Sequence, residues 1–312
     1  MRLRIFITGA GGYLGSVLVK QLVVLPEIDH ITGIVYNNLP RDSFPDKVNL
    51  VKMDIRSPEI VDAMAEHDFV IHTAFIVQWS ASMPVAVRDD ICLNGTRNVA
   101  EAAVKNRVRG FIHASSLAAY DPFRGHGKEN LDEEFPIGEG NSQMYYWNNK
   151  AKTERILSEV LAGSDMTLTL LRLPYIIGPC NRATVPGFRQ NAVLFPGHDP
   201  RTQFIHEDDV ARAFAQAIRN PMPGAFNVVP DDSIRLSEAY RFMGAKPITL
   251  PVWLAKWIAY VRWRFLGSPT HPSWVQATLV DFSAINAKLR ATGWEPHYNC
   301  TQAIYTALES NI

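Results

Sequence analysis

Tyr146 and Lys150 lie four residues apart in the segment MYYWNNKAK (144–152), and residues at that spacing share one face of a helix. A phenol has an ordinary pKa of about 10, which is too high for proton transfer at neutral pH. A neighbouring ammonium favours the phenolate and lowers that pKa, so the pair can form an acid/base centre. Tyr145 is matched at the same spacing only by Asn149, so Tyr146 is the predicted catalytic tyrosine.

Two serines upstream of this pair add a second polar group. Ser115 and Ser116 end the run GFIHASS (110–116), which has the character of a buried strand. Open α/β sheets bind their ligands at the carboxyl ends of strands. A serine hydroxyl there can hydrogen-bond a substrate oxygen while the tyrosine moves its proton, and both serines are candidates.

A glycine-rich loop near the start of the chain predicts a nucleotide site. TGAGGYLG places Gly9, Gly12 and Gly15 three apart, after the strand run 3–8 and at the start of a helical pattern over 13–25. Glycines let the backbone approach a pyrophosphate, and the helix N-terminus favours its negative charge. The context therefore predicts dinucleotide binding; the alternative is a turn that only packs helix on strand.

The choice of dinucleotide depends on the end of the second strand. A ribose-binding carboxylate is expected about 20 residues after the loop, near Val35, but the first acid is Asp42. Without that carboxylate a 2′-phosphate is not repelled, and Asn37 and Arg41 are the candidates to contact this end of the cofactor. NADP(H) is slightly favoured over NAD(H); alternatively, Arg41 is a solvated loop charge.

Strand and helix patterns alternate through the first two thirds of the chain and predict an α/β fold with a doubly wound parallel sheet of Rossmann type. After residue 174, Pro and Gly become frequent and the alternation loosens. We expect a core over 1–172, to which the chain returns at 202–229, and a smaller C-terminal substrate-binding subdomain formed by 173–201 and 230–312.

The composition limits the partners. Lys plus Arg total 31 and Asp plus Glu total 31, so the net charge gives no reason to expect nucleic acid. Cys92, Cys180 and Cys300 are far apart and lack metal-ligand spacing, which predicts reduced thiols and no metal site. The N-terminus enters a strand pattern at once, and no apolar run is long enough to span a bilayer, so we expect a cytoplasmic protein.

Further motifs carry a family resemblance. MDIRS contains Asp54, VIHTAF contains Thr73 and Ala74, LNGTRNV contains Asn94, and LRLPYIIGP and FIHEDDVA follow later. With the glycine loop, the serines and the Tyr–Lys pair, these segments resemble the extended short-chain dehydrogenases/reductases, which include NAD(P)-dependent epimerases, dehydratases and 3β-hydroxysteroid dehydrogenases. LNGTRNV is similar to the NxxGTxNV helix start of that family, and VIHTAF to its HxAA strand end.

The resemblance implies roles for particular residues. The catalytic set is Ser116, with Ser115 as the alternative, Tyr146 and Lys150; Lys150 also holds the nicotinamide ribose, and Asn94 supports Lys150 through a water. A homodimer through the helices at 94–106 and 146–162 is expected. The implied cofactor-binding residues are Gly9, Gly12, Tyr13, Leu14, Gly15, Asn37, Arg41, Asp54, Ile55, Thr73, Ala74, Asn94, Lys150 and Pro174.

The resemblance also implies the reaction, in which Tyr146 takes a hydroxyl proton while a hydride leaves the same carbon for the nicotinamide, or the reverse. Many relatives that act on nucleotide-sugars have Asn where this chain has Tyr175, which counts against that substrate class. Leu117 and Ala118 stand where sugar dehydratases carry acids, which counts against elimination. We therefore expect an oxidoreductase acting on a secondary alcohol or ketone; the alternatives are a nucleotide-sugar 4-epimerase with tightly bound NAD and a non-catalytic dinucleotide sensor.

The segment PVWLAKWIAYVRWRFLG (251–267) leaves three interpretations open. Its apolar residues approximate one face of a helix. The segment is a core-packed helix of the substrate subdomain, a lid over an apolar substrate, or a surface that lies on a membrane. The face is formed by Trp253, Trp257, Ile258, Val261 and Phe265.

Overall fold

A seven-stranded parallel sheet forms the centre of the computed structural model, which describes residues 2–37, 44–120, 128–139 and 144–309. The strand order is β12-β7-β5-β4-β1-β2-β3, and every neighbouring pair is parallel. This confirms the predicted doubly wound sheet. Its strands are β1 (Leu3–Thr8), β2 (Ile28–Val35), β3 (Val48–Lys52), β4 (Phe69–His72), β5 (Gly110–Ser116), β7 (Thr167–Leu173) and β12 (Gly224–Asn227).

Helices cover both faces of this sheet. Successive side chains of a strand point to opposite sides, so apolar residues of one strand enter both cores. Ile5 and Ile7 of β1 belong to one core, with residues of α1 and α7. Phe6 belongs to the other core, with residues of α2, α4 and α5. These helices are α1 (Tyr13–Leu22), α2 (Ile60–Ala63), α4 (Gly95–Asn106), α5 (Tyr145–Val160) and α7 (Glu207–Arg219), and α3 (Val85–Asp89) runs into α4 through a π-helical turn (Asp90–Asn94).

Much of the chain after residue 173, together with β6 (Lys128–Leu131), forms a smaller group of elements outside this sheet. Its own core contains Ile177, Phe204, Met243 and Ile304. Short strands frame it: β6 (Lys128–Leu131), β8 (Tyr175–Ile177), β9 (Val193–Leu194), β10 (Arg201–Thr202), β11 (Phe204–His206), β13 (Ile234–Arg235), β14 (Ile248–Thr249) and β15 (Phe282–Ala284). Its helices are α6 (Thr184–Gln190), α8 (Leu236–Phe242), α9 (Val252–Phe265), α10 (Trp274–Ala277), α11 (Ala287–Arg290) and α12 (Cys300–Glu309).

Helix α9 packs by only one side. The indole Nε1 of Trp263 donates to the carbonyl of Trp79 at 3.0 Å, and Ala255 is buried. Trp253 and Trp257 face outward and are 70% and 61% exposed. Ile258 and Val261 of the face that the sequence singled out are half-buried, so that face is only partly packed against the rest of the protein. Among the described residues, no helix is both long and apolar enough to cross a bilayer.

Candidate active site

The glycine loop between β1 and α1 has no room for a side chain at Gly9 or Gly15. Gly9 has a φ of +74°, and a Cβ on it would lie 2.7 Å from the amide nitrogen of Ala74. A Cβ on Gly15 would lie 2.1 Å from the Gly9 carbonyl oxygen. Gly12 is the N-cap residue of α1 and has no side chain to accept from the first-turn amides. The bare backbone at a helix N-terminus fits the pyrophosphate of a dinucleotide.

Tyr13 connects this loop to the start of α7. Its hydroxyl donates to one carboxylate oxygen of the buried Glu207 at 2.5 Å. The other oxygen of Glu207 accepts from the backbone N–H of Cys180 at 2.9 Å. Burial and the hydrogen bond to Glu207 both raise the pKa of Tyr13, so the phenol stays protonated. Leu14 packs against the core beside it.

The end of strand β4 is held by neutral hydrogen bonds. The Thr73 hydroxyl donates to the carbonyl of Thr8 at 2.8 Å, which fixes the chain at Thr73 and Ala74 against the glycine loop. His72 lies between the hydroxyls of Thr8 and Thr96 at 2.7 and 3.0 Å. Burial lowers the pKa of His72 to about 3, so this imidazole is a neutral structural group.

An ion-pair network follows strand β3. Both carboxylate oxygens of Asp54 accept from the guanidinium of Arg56, and this hydrogen bonding holds the pKa of Asp54 below its usual value. Arg56 also donates to Asp90 at 2.7 Å. Ile55 packs against Gly95, where a Cβ would lie 2.6 Å from its Cδ1. Arg56 therefore joins the predicted adenine end to the start of α4.

Of the two residues predicted to contact the ribose end of the cofactor, the structure describes only Asn37. Asn37 is exposed just beyond β2, where it is accessible to a ligand. Arg41 lies outside the described residues, as does Asp42.

Asn94 makes its direct hydrogen bond elsewhere than at Lys150, and its support of Lys150 through a water stays a prediction. The amide of Asn94 donates to Asp90 at 2.7 Å, and its side chain is exposed. The NxxGTxNV pattern places its Asn three residues before Gly95, which is the position of Cys92. Cys92 is fully buried on the π-helical turn and interacts electrostatically with Lys150. The thiol, accepting from the amide of Ile76 at 3.4 Å, stands where the pattern has an amide.

The two candidate serines have different partners. Ser116, the last residue of β5, donates to the carbonyl of Leu173 at 3.1 Å, beside Pro174. The Ser116 side chain also acts on Tyr146, whose pKa it works to lower against the larger effect of burial. Ser115 instead donates to Glu154 at 2.5 Å, whose carboxylate is buried with Arg172. The structure thus brings Ser116, and not Ser115, to the tyrosine.

Lys150 is buried one helical turn beyond Tyr146. Its Nζ donates to the carbonyl of Ala114 at 2.8 Å and lies 4.0 Å from the ring centroid of Phe75. Burial lowers the pKa of Lys150 to about 8. The pKa of Tyr146 is raised to about 12, mainly by burial. The lowered tyrosine pKa expected from the pair is therefore not found here, because desolvation outweighs the other effects on the phenol.

Aromatic side chains surround the tyrosine. The ring of Tyr146 lies 5.7 Å from that of Phe75 and 5.2 Å from that of Trp274. Tyr175, at the position where relatives have Asn, stacks on Phe204 at 5.6 Å and interacts electrostatically with Tyr146. The surroundings of the reacting hydroxyl are thus largely apolar, and sequence reasoning had not identified Phe75 or Trp274.

A cation lies within this aromatic group. The guanidinium of Arg88 is 4.3 Å from the ring centroid of Trp79 and 4.4 Å from that of Tyr145, and it pairs with Asp89 at 2.6 Å. Its charge and burial lower the pKa of His271 to about 4. Such stacking stabilises a buried guanidinium and fixes the chain beside Tyr146.

The fold and these motifs agree with a comparison against known families. The sequence profile of the NAD dependent epimerase/dehydratase family matches residues 5–228, and the chain belongs to this family. It is an NAD(P)-dependent enzyme of the extended short-chain dehydrogenase/reductase type. The family resemblance noted in the sequence is confirmed.

Relatives of known activity share about a quarter of their residues with this chain. Vestitone reductase of Medicago sativa is 27% identical over 253 residues, which cover 73% of this chain and 76% of that protein. The decarboxylating sterol-4-alpha-carboxylate 3-dehydrogenase of Candida albicans is 27% identical over 199 residues, or 61% of this chain and 55% of that protein.

Solved structures share the fold over nearly the whole length. UDP-glucose 4-epimerase of Thermotoga maritima, solved with UDP-glucose, superposes with a TM-score of 0.75 at 18% identity and covers 99% of this chain and 98% of its own. At that identity the similarity establishes the architecture.

Proposed function

We propose that this protein is an NAD(P)-dependent oxidoreductase that interconverts a bulky, apolar secondary alcohol and its ketone through Ser116, Tyr146 and Lys150. The observation that carries the proposal is the clustering of three groups: Ser116 is close enough to Tyr146 to influence its pKa, and Lys150 is buried one helical turn away on the same helix. A hydroxyl donor, a proton carrier and a buried cation are the groups that carbonyl reduction needs.

The cofactor would occupy the groove that begins at the glycine loop. When bound, its nicotinamide supplies the hydride chemistry. The side-chain-free loop accommodates the pyrophosphate, and Asp54 and Ile55, backed by Arg56, Asp90 and Asn94, line the adenine end. The residues proposed to hold the dinucleotide are Gly9, Gly12, Tyr13, Leu14, Gly15, Asn37, Arg41, Asp54, Ile55, Thr73, Ala74, Lys150 and Pro174.

The protonation of Tyr146 favours the reducing direction. With a pKa of about 12, the phenol is protonated at neutral pH and can donate its proton to a ketone oxygen as that oxygen gains charge. Ser116 orients the same oxygen by hydrogen bonding. The ammonium of Lys150 lies 5.9 Å from the centroid of the Tyr146 ring and stabilises the phenolate left after the transfer.

The substrate class is inferred from the walls of the site. Phe75, Trp274 and Tyr175 present aromatic surface around the reacting hydroxyl, and such surface favours an apolar ring system over a charged diphosphate. The names of the two curated relatives, a reductase and a sterol dehydrogenase, point the same way. Tyr175 in place of Asn counts against the nucleotide-sugar 4-epimerase.

Several further features belong to the same proposal. NADP(H) is preferred over NAD(H), because no carboxylate follows β2 at Val35 to repel a 2′-phosphate. The protein acts in the cytoplasm as a homodimer in which α4 and α5, already side by side on one face of the sheet, meet their copies. Residues 173–201 and 230–312 form the substrate-binding part.

Titration of the purified protein with NADPH and NADH, followed by quenching of tryptophan fluorescence, tests this function. Micromolar binding with preference for NADPH is expected, after which ketones of increasing apolar size are screened for NADPH oxidation. Mass spectrometry of the denatured protein is the companion measurement. A retained NAD without net redox turnover would replace this proposal by the epimerase, and dinucleotide binding without any turnover by the sensor.

A further inference from the structure

Helix α9 carries an exposed aromatic face. Trp253, Trp257 and Tyr260 follow one another at spacings of four and three, which puts them on one side of the helix. They are 70%, 61% and 48% exposed, and Phe265 and Leu266 at the end of the helix are 68% and 72% exposed. Large apolar side chains grouped on a surface mark an interaction site.

The opposite side of α9 accounts for its attachment to the protein. Trp263 donates to the Trp79 carbonyl, and Arg262 donates to the side chain of Asn191 at 2.8 Å. Within the part of the chain that the structure describes, Trp253 and Trp257 make no ring contact or hydrogen bond. The outward tryptophans therefore do not hold the helix in place, and their apolar surface is accessible to a binding partner.

The segment that carries this face has charges of one sign. The chain has equal numbers of acidic and basic residues, 31 of each, yet the segment 239–280 contains no Asp or Glu. Lys256, which is half-buried, directly precedes Trp257, and the exposed Arg264 follows it seven residues later, about two helical turns along. The guanidinium of Arg264 lies 5.5 Å from the ring centroid of Phe265. The basic residues of the segment are Arg241, Lys246, Lys256, Arg262 and Arg264.

We propose that the outward face of α9 docks on an anionic phospholipid surface. Tryptophan and tyrosine rings favour the boundary between headgroups and acyl chains, where Trp253 and Trp257 would insert. Lys256 and Arg264 would meet the lipid phosphates, since cations next to an anionic leaflet strengthen such binding. A second copy of the chain is a poorer occupant, because pairing this face with itself would bring two acid-free, basic segments together.

Docking in this orientation would also connect the bilayer to the active site. Trp263 on the inner side of α9 contacts Trp79, and the Trp79 ring lies 4.0 Å from that of Tyr145, the neighbour of Tyr146. If the proposed function is correct, an apolar ketone dissolved in the bilayer would reach the site without crossing water. The docking itself does not depend on that function.

Vesicle flotation of the full-length protein tests the docking. Vesicles of phosphatidylcholine alone are compared with vesicles that contain phosphatidylglycerol, at low and high salt. Because each cation at an anionic leaflet adds about fivefold to partitioning, Lys256→Gln with Arg264→Gln is expected to weaken binding about thirtyfold. Trp253→Ser with Trp257→Ser is expected to weaken it at least tenfold.

Matched variants elsewhere on the surface separate this face from general effects. Val24→Ser removes an apolar side chain that is 73% exposed, and Arg2→Gln removes a cation whose side chain is 82% exposed and which lies outside α4, α5 and α9; both variants are expected to bind vesicles like the wild type. Equal binding to neutral and anionic vesicles, no binding to either, or unchanged binding by the α9 variants would overturn the proposal. The proposal would also be overturned if light scattering showed a dimer of the wild type that the double variant Trp253→Ser with Trp257→Ser dissociates.

Because flotation needs neither cofactor nor substrate, its failure would leave the proposed function standing. Conversely, loss of turnover in a Tyr146 variant would leave the docking untouched. The two outcomes are therefore distinguishable.

Discussion

Replacing Lys150 by methionine should make the cofactor-free protein more stable while abolishing its activity. The ammonium is buried, 4% exposed, and burial lowers its pKa from 10.5 to about 8. A native pKa below the unfolded one means that folding disfavours the charged form. Catalytic groups held in such environments commonly reduce stability.

The size of the effect follows from that pKa. The fall from 10.5 to about 8 corresponds to about 3 kcal/mol of destabilisation at pH 6.5, at about 1.4 kcal/mol per pKa unit. Losing the hydrogen bond to the Ala114 carbonyl offsets about 1 kcal/mol. Lys150→Met should therefore increase the free energy of unfolding by about 2 kcal/mol at pH 6.5.

The pH dependence gives the sign test. Below pH 8 the lysine is charged in both states, so the penalty is complete; it fades as pH rises towards 10.5, where the unfolded chain also loses its proton. The advantage of Lys150→Met should shrink by about 2 kcal/mol between pH 6.5 and pH 9.5.

Urea unfolding of the wild type and the variant at both pH values measures this difference. Lys152→Met, which changes a half-buried lysine on the same helix, is the control and should show neither the gain nor its loss at high pH. A variant that is less stable than the wild type at pH 6.5, or a difference that does not change with pH, would refute the reasoning.

Two further perturbations probe the framework of the site. Gly15→Ala places a Cβ 2.1 Å from the Gly9 carbonyl oxygen and should weaken NADPH binding, measured by calorimetry, at least tenfold. Gly187→Ala is the control, because its Cβ meets nothing within 4 Å, and it should bind NADPH like the wild type. Equal affinities of the two variants would show that the loop is not the cofactor site. Arg172→Met leaves the buried carboxylate of Glu154 without its ion pair and should cost about 3–5 kcal/mol in urea unfolding. Adding Glu154→Met should recover most of that loss, and no recovery would contradict the pairing.

Local patterns were sufficient for the sheet and the loop. The strand predicted over 110–116 is found at Gly110–Ser116, because a parallel strand buried on both faces reads as a continuous apolar run. The glycines are predictable for a similar reason, since the backbone there excludes any Cβ. By contrast, the apolar residues of the stretch 57–67 recur at helical spacing, yet this stretch forms only the short α2, Ile60–Ala63.

Contacts between distant parts of the chain could not be predicted. Glu207 joins Tyr13 to Cys180 although it lies far along the sequence. The segment FIHEDDVA, which contains Glu207, carries the family resemblance, but it does not indicate that Glu207 reaches the glycine loop. Cys92 could have been identified from the spacing of the family pattern before Gly95, but its proximity to Lys150 depends on the π-helical turn.

Helix α9 shows the limit of periodicity. Tryptophans occur on both of its sides, so a period can define a face without saying whether that face is inside. Trp263 packs on Trp79, while Trp253 and Trp257 are exposed. Whether a tryptophan of this helix is buried depends on which other parts of the folded chain lie next to it.

Turnover of Tyr146→Phe against Tyr145→Phe tests the central claim most directly. Both variants remove one hydroxyl from adjacent rings of α5, and the Tyr145 hydroxyl bonds the Val77 carbonyl. With NADPH and a ketone that the wild type reduces, Tyr146→Phe should lower kcat by about 10²–10⁴, the usual contribution of a general acid, and leave the Kd for NADPH within about threefold. Tyr145→Phe should retain most of the activity. Full turnover by Tyr146→Phe would contradict the proposed mechanism.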